Sequence, residues 1–112
     1  MNKEVEIYLG KYPDEIRAVY NSLRSALYEC GVDGVEEKMW AKLPTYYFGD
    51  NFVRLVPFKD HINIEARAIK QYADLLVGYK LTPKYMLQIY VNQTMPVELL
   101  REIFYKTLKT NI

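Results

Sequence analysis

Apolar residues recur at helical spacing over the first third of the chain, and near residue 35 the pattern changes to alternation. Val5, Tyr8 and Leu9 predict a short helix over residues 3–11, closed by Gly10 and Pro13. Ile16, Val19, Tyr20, Leu23, Ala26, Leu27 and Cys30 then fall on one stripe at i, i+3, i+4, i+7 spacing and predict a longer amphipathic helix. Pro13 suits its first position, Asp14 and Glu15 complement the positive end of its dipole, and Gly31 ends it. Cys30 continues the apolar stripe and reads as a buried small hydrophobe.

From Glu37 to Leu43 the alternation sends Met39, Ala41 and Leu43 to one side and Lys38, Trp40 and Lys42 to the other, predicting a strand. Pro44 interrupts it. Thr45 to Phe48 resumes, the turn Gly49-Asp50-Asn51 follows, and Phe52 to Phe58 makes the second arm of a hairpin. Pro57 within that arm predicts an edge position or a bulge. In the next strand Ile62 and Ile64 face the core, while His61, Asn63 and Glu65 face outward. Residues 67–77 return to helix with Ile69, Tyr72, Ala73 and Leu76 on one face and Gly78 as terminator. Residues 85–91 form a fifth strand, and a last helix opens at Pro96, burying Leu99, Leu100, Ile103, Phe104 and Leu108. The order is α-α-β-β-β-β-α-β-α. Tight turns between the middle strands imply antiparallel pairing, so the expected fold is α+β: an antiparallel sheet of about five strands with helices packed on one face.

The 112 residues suit one domain, half hydrophobic and about a quarter charged. No apolar run approaches the roughly 18 residues of a spanning helix. The N-terminus lacks the apolar core of a secretory signal, so the expected location is the cytoplasm. Fifteen basic and fourteen acidic side chains give no reason to expect nucleic acid or anionic lipid as a partner. The charge is unevenly distributed: residues 1–37 carry a net −4 and residues 38–112 a net +5. Such poles suit solubility, partner docking or a homodimer that pairs the acidic start with the basic sheet. Eleven of the sixteen aromatics are tyrosine, which closes the edge of a small core while its hydroxyl stays wet.

The glycine-rich phosphate loops, the serine-nucleophile elbow, HExxH and CxxC are all absent, and a lone Cys and a lone His make no structural zinc site. An enzyme is not expected. Three surfaces are candidates for function. His61, Asn63 and Glu65 share one strand face, a spacing that suits a metal ion or a plain solvated hairpin. Trp40 lies between Lys38 and Lys42 on a polar face, suited to a partner or to cover by another element. The acids near the N-terminus, among them Asp14, Glu15, Glu36 and Glu37, suit weak coordination of hard cations or a solvated charged face.

The run from Glu36 to Tyr46 (EEKMWAKLPTY) resembles the "EEK…PT-aromatic" segment of the YdhG-like family of small domains of unknown function. Pro57 to Ile62 is similar to that family's "FK-x-H" motif, and Met95 to Leu100 to its "LP-x-x-L" helix start; Gly78-Tyr79-Lys80 and Met86 to Ile89 also match. The resemblance spans roughly residues 3–108. It implies a frataxin-like fold and, for some members, an intracellular iron chaperone. On that reading the chain holds iron weakly at Asp14, Glu15, Glu36, Glu37, His61 and Glu65 and passes it to an iron–sulfur or haem assembly protein. The alternative is a metal-independent module for a ligand or protein partner. Its surface comprises Lys38, Trp40, Tyr46, Tyr47, Lys59, His61 and Asn63 on the hairpin face.

Overall fold

The apolar spacing near the N-terminus becomes two helices, α1 (Lys3–Leu9) and α2 (Asp14–Tyr28), in a computed structural model that describes residues 1–110. Asn2 caps α1 by accepting from the Glu4 N–H, and α2 buries Ile16, Tyr20, Leu23, Ala26 and Leu27. A six-stranded sheet follows: β1 (Glu36–Trp40), β2 (Leu43–Phe48), β3 (Asn51–Pro57), β4 (His61–Ala66), β5 (Lys80–Leu81) and β6 (Leu87–Tyr90). Its spatial order is β1-β2-β3-β4-β6-β5, and every pairing is antiparallel. A final helix, α3 (Val97–Lys109), packs with α2 across one face of the sheet. The fold class is α+β, as the alternation and turn spacing predict.

The core is the layer between those helices and the sheet. Val53, Leu55, Ile62, Ile64, Leu87 and Ile89 project from the strands to meet Ile16, Tyr20, Leu23, Leu100, Ile103 and Phe104, all essentially without solvent exposure. Ile62 and Ile64 are inside and their polar neighbours outside, as the alternation requires.

Several boundaries differ from the expectation. Glu37 to Leu43 is not one strand. β1 stops at Trp40, and Ala41 and Lys42 form a two-residue turn with φ of 48° and 66°, pairing Trp40 with Leu43. Both positive angles are those of the mirror-image turn that follows strand twist, although neither residue is a glycine. Pro44 lies within β2, opposite Met39, and Pro57 ends β3, a central strand and not an edge. The β2–β3 ladder runs only from Thr45↔Arg54 to Phe48↔Asn51. Each proline therefore sits past its end, where no amide hydrogen is needed.

Residues 67–77 do not form an α-helix. Arg67–Leu75 is a 3₁₀-helix strapped to α3, where the Ala68 N–H donates to Thr107 Oγ1. The strand expected over residues 85–91 shortens to β6, with Tyr85 in the preceding turn. The two-residue β5, too short to show any alternation, is the sixth strand.

Candidate functional site

Helices cover one face of the sheet; the other is open. Register alone assigns side chains to it. Glu36, Lys38 and Trp40 of β1 stand beside Leu43, Thr45 and Tyr47 of β2, then Phe52, Arg54 and Val56 of β3. His61, Asn63 and Glu65 of β4 continue the face, followed by Gln88 and Tyr90 of β6.

Arg54 organises one half. Its guanidinium carbon lies 4.3 Å from the ring centroids of both Trp40 and Phe52. Its Nε donates to Thr45 Oγ1 at 3.0 Å and a terminal nitrogen donates to Glu65 Oε1 at 2.7 Å. So held, Arg54 is buried on a face that no helix covers, while Trp40 remains 53% exposed. The other half is a stack. The His61 ring lies between Phe58 and Tyr90, with centroids at 4.7 and 4.8 Å, and its Nδ1 pairs with Asp60 Oδ1 at 2.8 Å. Lys80 Nζ stands 5.5 Å from the Tyr90 ring centroid.

Of the residues expected on a partner surface, Lys38, Trp40, Tyr47, His61 and Asn63 share this face, and Lys59 lies in the β3–β4 turn. Tyr46 does not belong with them. The same alternation that brings Tyr47 out turns Tyr46 inward, where it has no solvent exposure. Its hydroxyl donates to Glu37 Oε2 at 2.7 Å and lies 2.6 Å from the Tyr20 hydroxyl.

Glu37 is likewise turned to the covered side. Arg24 Nε donates to its Oε2 at 2.6 Å and the Asn2 backbone N–H to its Oε1 at 2.6 Å. Burial pushes the Glu37 carboxyl up, but the bonds from Arg24, the Asn2 amide and Tyr46 outweigh that and hold it below the usual carboxylate range. Burial raises the Tyr20 and Tyr46 hydroxyls far above the ordinary tyrosine value. This network of five residues ties α1, α2, β1 and β2 together.

The expected metal ligands are dispersed. Asp14 and Glu15 open α2 in the helical layer, Glu36 and Glu37 occupy opposite faces of β1, and His61 and Glu65 are four residues apart on β4, about 13 Å at strand rise. Asp14 is engaged by Arg17, Glu36 by Lys38, Glu37 by Arg24 and Glu65 by Arg54. Among the described residues no three His, Cys, Asp or Glu side chains come together as a metal group.

Sequence reading missed Arg54, Phe52 and Tyr90, the residues that organise the face. The signal was present for the first two: once Val53 and Leu55 are set inward, Phe52 and Arg54 must point out. Comparison of the chain with protein-family models, with curated proteins and with solved structures finds no match in any of the three. No described helix is long and apolar enough to cross a membrane.

Proposed function

We propose that the chain is an interaction module that docks an acidic protein partner on its open sheet face. The observation that carries this reading is Trp40, half exposed and stacked on an immobilised Arg54. Tryptophan, tyrosine and arginine are enriched among the residues that dominate binding energy at protein interfaces; the indole buries a large area at small cost in side-chain freedom, and Arg54 is already fixed by Thr45 and Glu65. Phe58, 43% exposed, adds a second apolar anchor at the opposite end of β3 from the β2–β3 turn.

Charge supports the choice of partner. Lys59 lies in the β3–β4 turn and Lys80 in the edge strand of this face, and no ion pair engages either among the described residues. Glu36, Glu65 and Asp60, the carboxylates of the same region, each already face a cation or His61. An acidic surface is therefore attracted and a basic one repelled. The iron-carrier reading rests on the family resemblance, and the dispersal of its six candidate ligands lends it no geometric support.

Photocrosslinking tests the proposal. A photoreactive phenylalanine analogue placed at Trp40 or Phe58 should yield one discrete protein adduct in cells that express the chain naturally. The same group at Ile7, exposed on α1, should not. Adding Lys38→Glu and Lys59→Glu should weaken the adduct. Equal adducts from both sides of the molecule, or none from the open face, would refute it.

A further inference from the structure

A cavity of about 500 Å³ opens at the end of the sheet where the β2–β3 turn, the β4–3₁₀ junction and the β5–β6 turn meet, a volume within the range of small-molecule sites. Three cations converge on it: Arg67, Lys70 and Lys84. None has a carboxylate partner among the described residues. Arg67 is anchored by neutral oxygens, at 3.2 Å from Asn51 Oδ1, 3.3 Å from the Thr107 carbonyl and 2.9 Å from the Thr110 carbonyl, so its charge is positioned but not neutralised. Two carboxylates share the wall. Glu65 is already paired with Arg54, and Asp50 stands exposed in the β2–β3 turn. Counted with Arg54, which stands behind the wall and neutralises Glu65, the surround keeps an excess of two positive charges.

The same cavity has an aromatic side. Phe52 and Tyr85 line it, and Lys70 Nζ stands 5.6 Å from the Tyr85 ring centroid, so cation and ring adjoin. Tyr85 has a φ of 62°, a region bulky side chains rarely occupy. The turn holds it there: Tyr85 N–H donates to the Thr82 carbonyl at 2.9 Å and Met86 N–H to Thr82 Oγ1 at 3.0 Å. A glycine would satisfy that backbone with no strain, yet the position carries a ring that is 41% exposed at the cavity.

We propose that this cavity binds a small phosphate monoester bearing a planar ring, the phosphate against Arg67, Lys70 and Lys84 and the ring against Tyr85. A phosphate monoester carries close to two negative charges at neutral pH, matching the excess around the cavity. The cavity adjoins the Trp40 surface, sharing Phe52 and Glu65 with it, but its cations and Tyr85 lie outside that surface and neither reading depends on the other.

Amide NMR of the whole chain, titrated with adenosine monophosphate, tests the proposal, with inorganic phosphate and adenosine as separate arms. The nucleotide should shift Asn51, Phe52, Arg67, Lys70, Lys84 and Tyr85 saturably, and inorganic phosphate should shift the cationic part more weakly. Lys70→Glu combined with Lys84→Glu should weaken the nucleotide at least about tenfold. Tyr85→Gly is the sharper variant: relief of strain should raise its thermal midpoint while the affinity gap between nucleotide and inorganic phosphate closes. Shifts centred on Lys38 and Lys59, equal affinity for nucleotide and phosphate in the unaltered chain, or no saturable shift would overturn the proposal.

Discussion

Tyr46→Phe should be among the most destabilising removals of a single atom in this chain. The Tyr46 hydroxyl has no solvent exposure, donates to Glu37 at 2.7 Å and is the hydrogen-bond partner of the equally buried Tyr20 hydroxyl. Its deletion removes a bond to a charged acceptor, about 1.5–3 kcal/mol, and leaves the Tyr20 hydroxyl unpaired, about 1–3 kcal/mol more. Because Arg24 and the Asn2 amide still hold Glu37, the expected loss is about 3 kcal/mol. Tyr20→Phe alone should cost only about 1 kcal/mol, since Tyr46 keeps its bond to Glu37. The double variant removes the orphaned hydroxyl and should be no less stable than Tyr46→Phe. Urea unfolding followed by circular dichroism and by Trp40 fluorescence measures all three, and coincidence of the two probes checks two-state behaviour. A Tyr46→Phe loss below about 1 kcal/mol, or a double variant equal to the sum of the singles, would refute the network as described.

The remaining predictions draw on other parts of the molecule. The Glu37 carboxyl is held below the usual range, so its contribution should be fully present above the unfolded-state value of about 4.3 and be lost as pH falls through the folded-state value; Glu37→Gln should flatten that acidic limb of the stability–pH curve. Ala41→Asn with Lys42→Gly places the residues preferred at two positive φ angles in the β1–β2 turn and should stabilise by about 1 kcal/mol, read as a thermal midpoint several degrees higher. Cys30 is buried and burial raises its thiol pKa, so alkylation at neutral pH should be slow in the native chain and accelerate sharply on adding urea. Trp40→Ala should cost about 1 kcal/mol or less, because the indole is half exposed and its main contact is the Arg54 guanidinium; a larger loss in urea melts would mean the surface is needed for folding.

How much of this was legible along the chain depends on the range of the interactions concerned. Long apolar periodicities survive any local detail, so α2, α3 and the inward Ile62 and Ile64 follow from spacing alone. Short elements do not. The Ala41-Lys42 turn contains neither glycine nor asparagine, so nothing local marks it, and it becomes compulsory only when β1 and β2 pair with Trp40 opposite Leu43. The two-residue β5 exists because β6 offers it an edge.

Function shows the same division. Residue order determined the α+β class, the two poles of charge and the alternation that sets polar against apolar faces, because these depend on neighbours within a turn or a pleat. Only tertiary structure decided that Glu37 and Tyr46 close a buried network while Glu36 and Tyr47, one position away, reach the open face. It alone brought Arg54 between Trp40 and Phe52, and Arg67, Lys70 and Lys84 around one cavity. Those groups come from separate strands and turns, and their meeting is fixed by strand order and register, which no local pattern along the chain encodes.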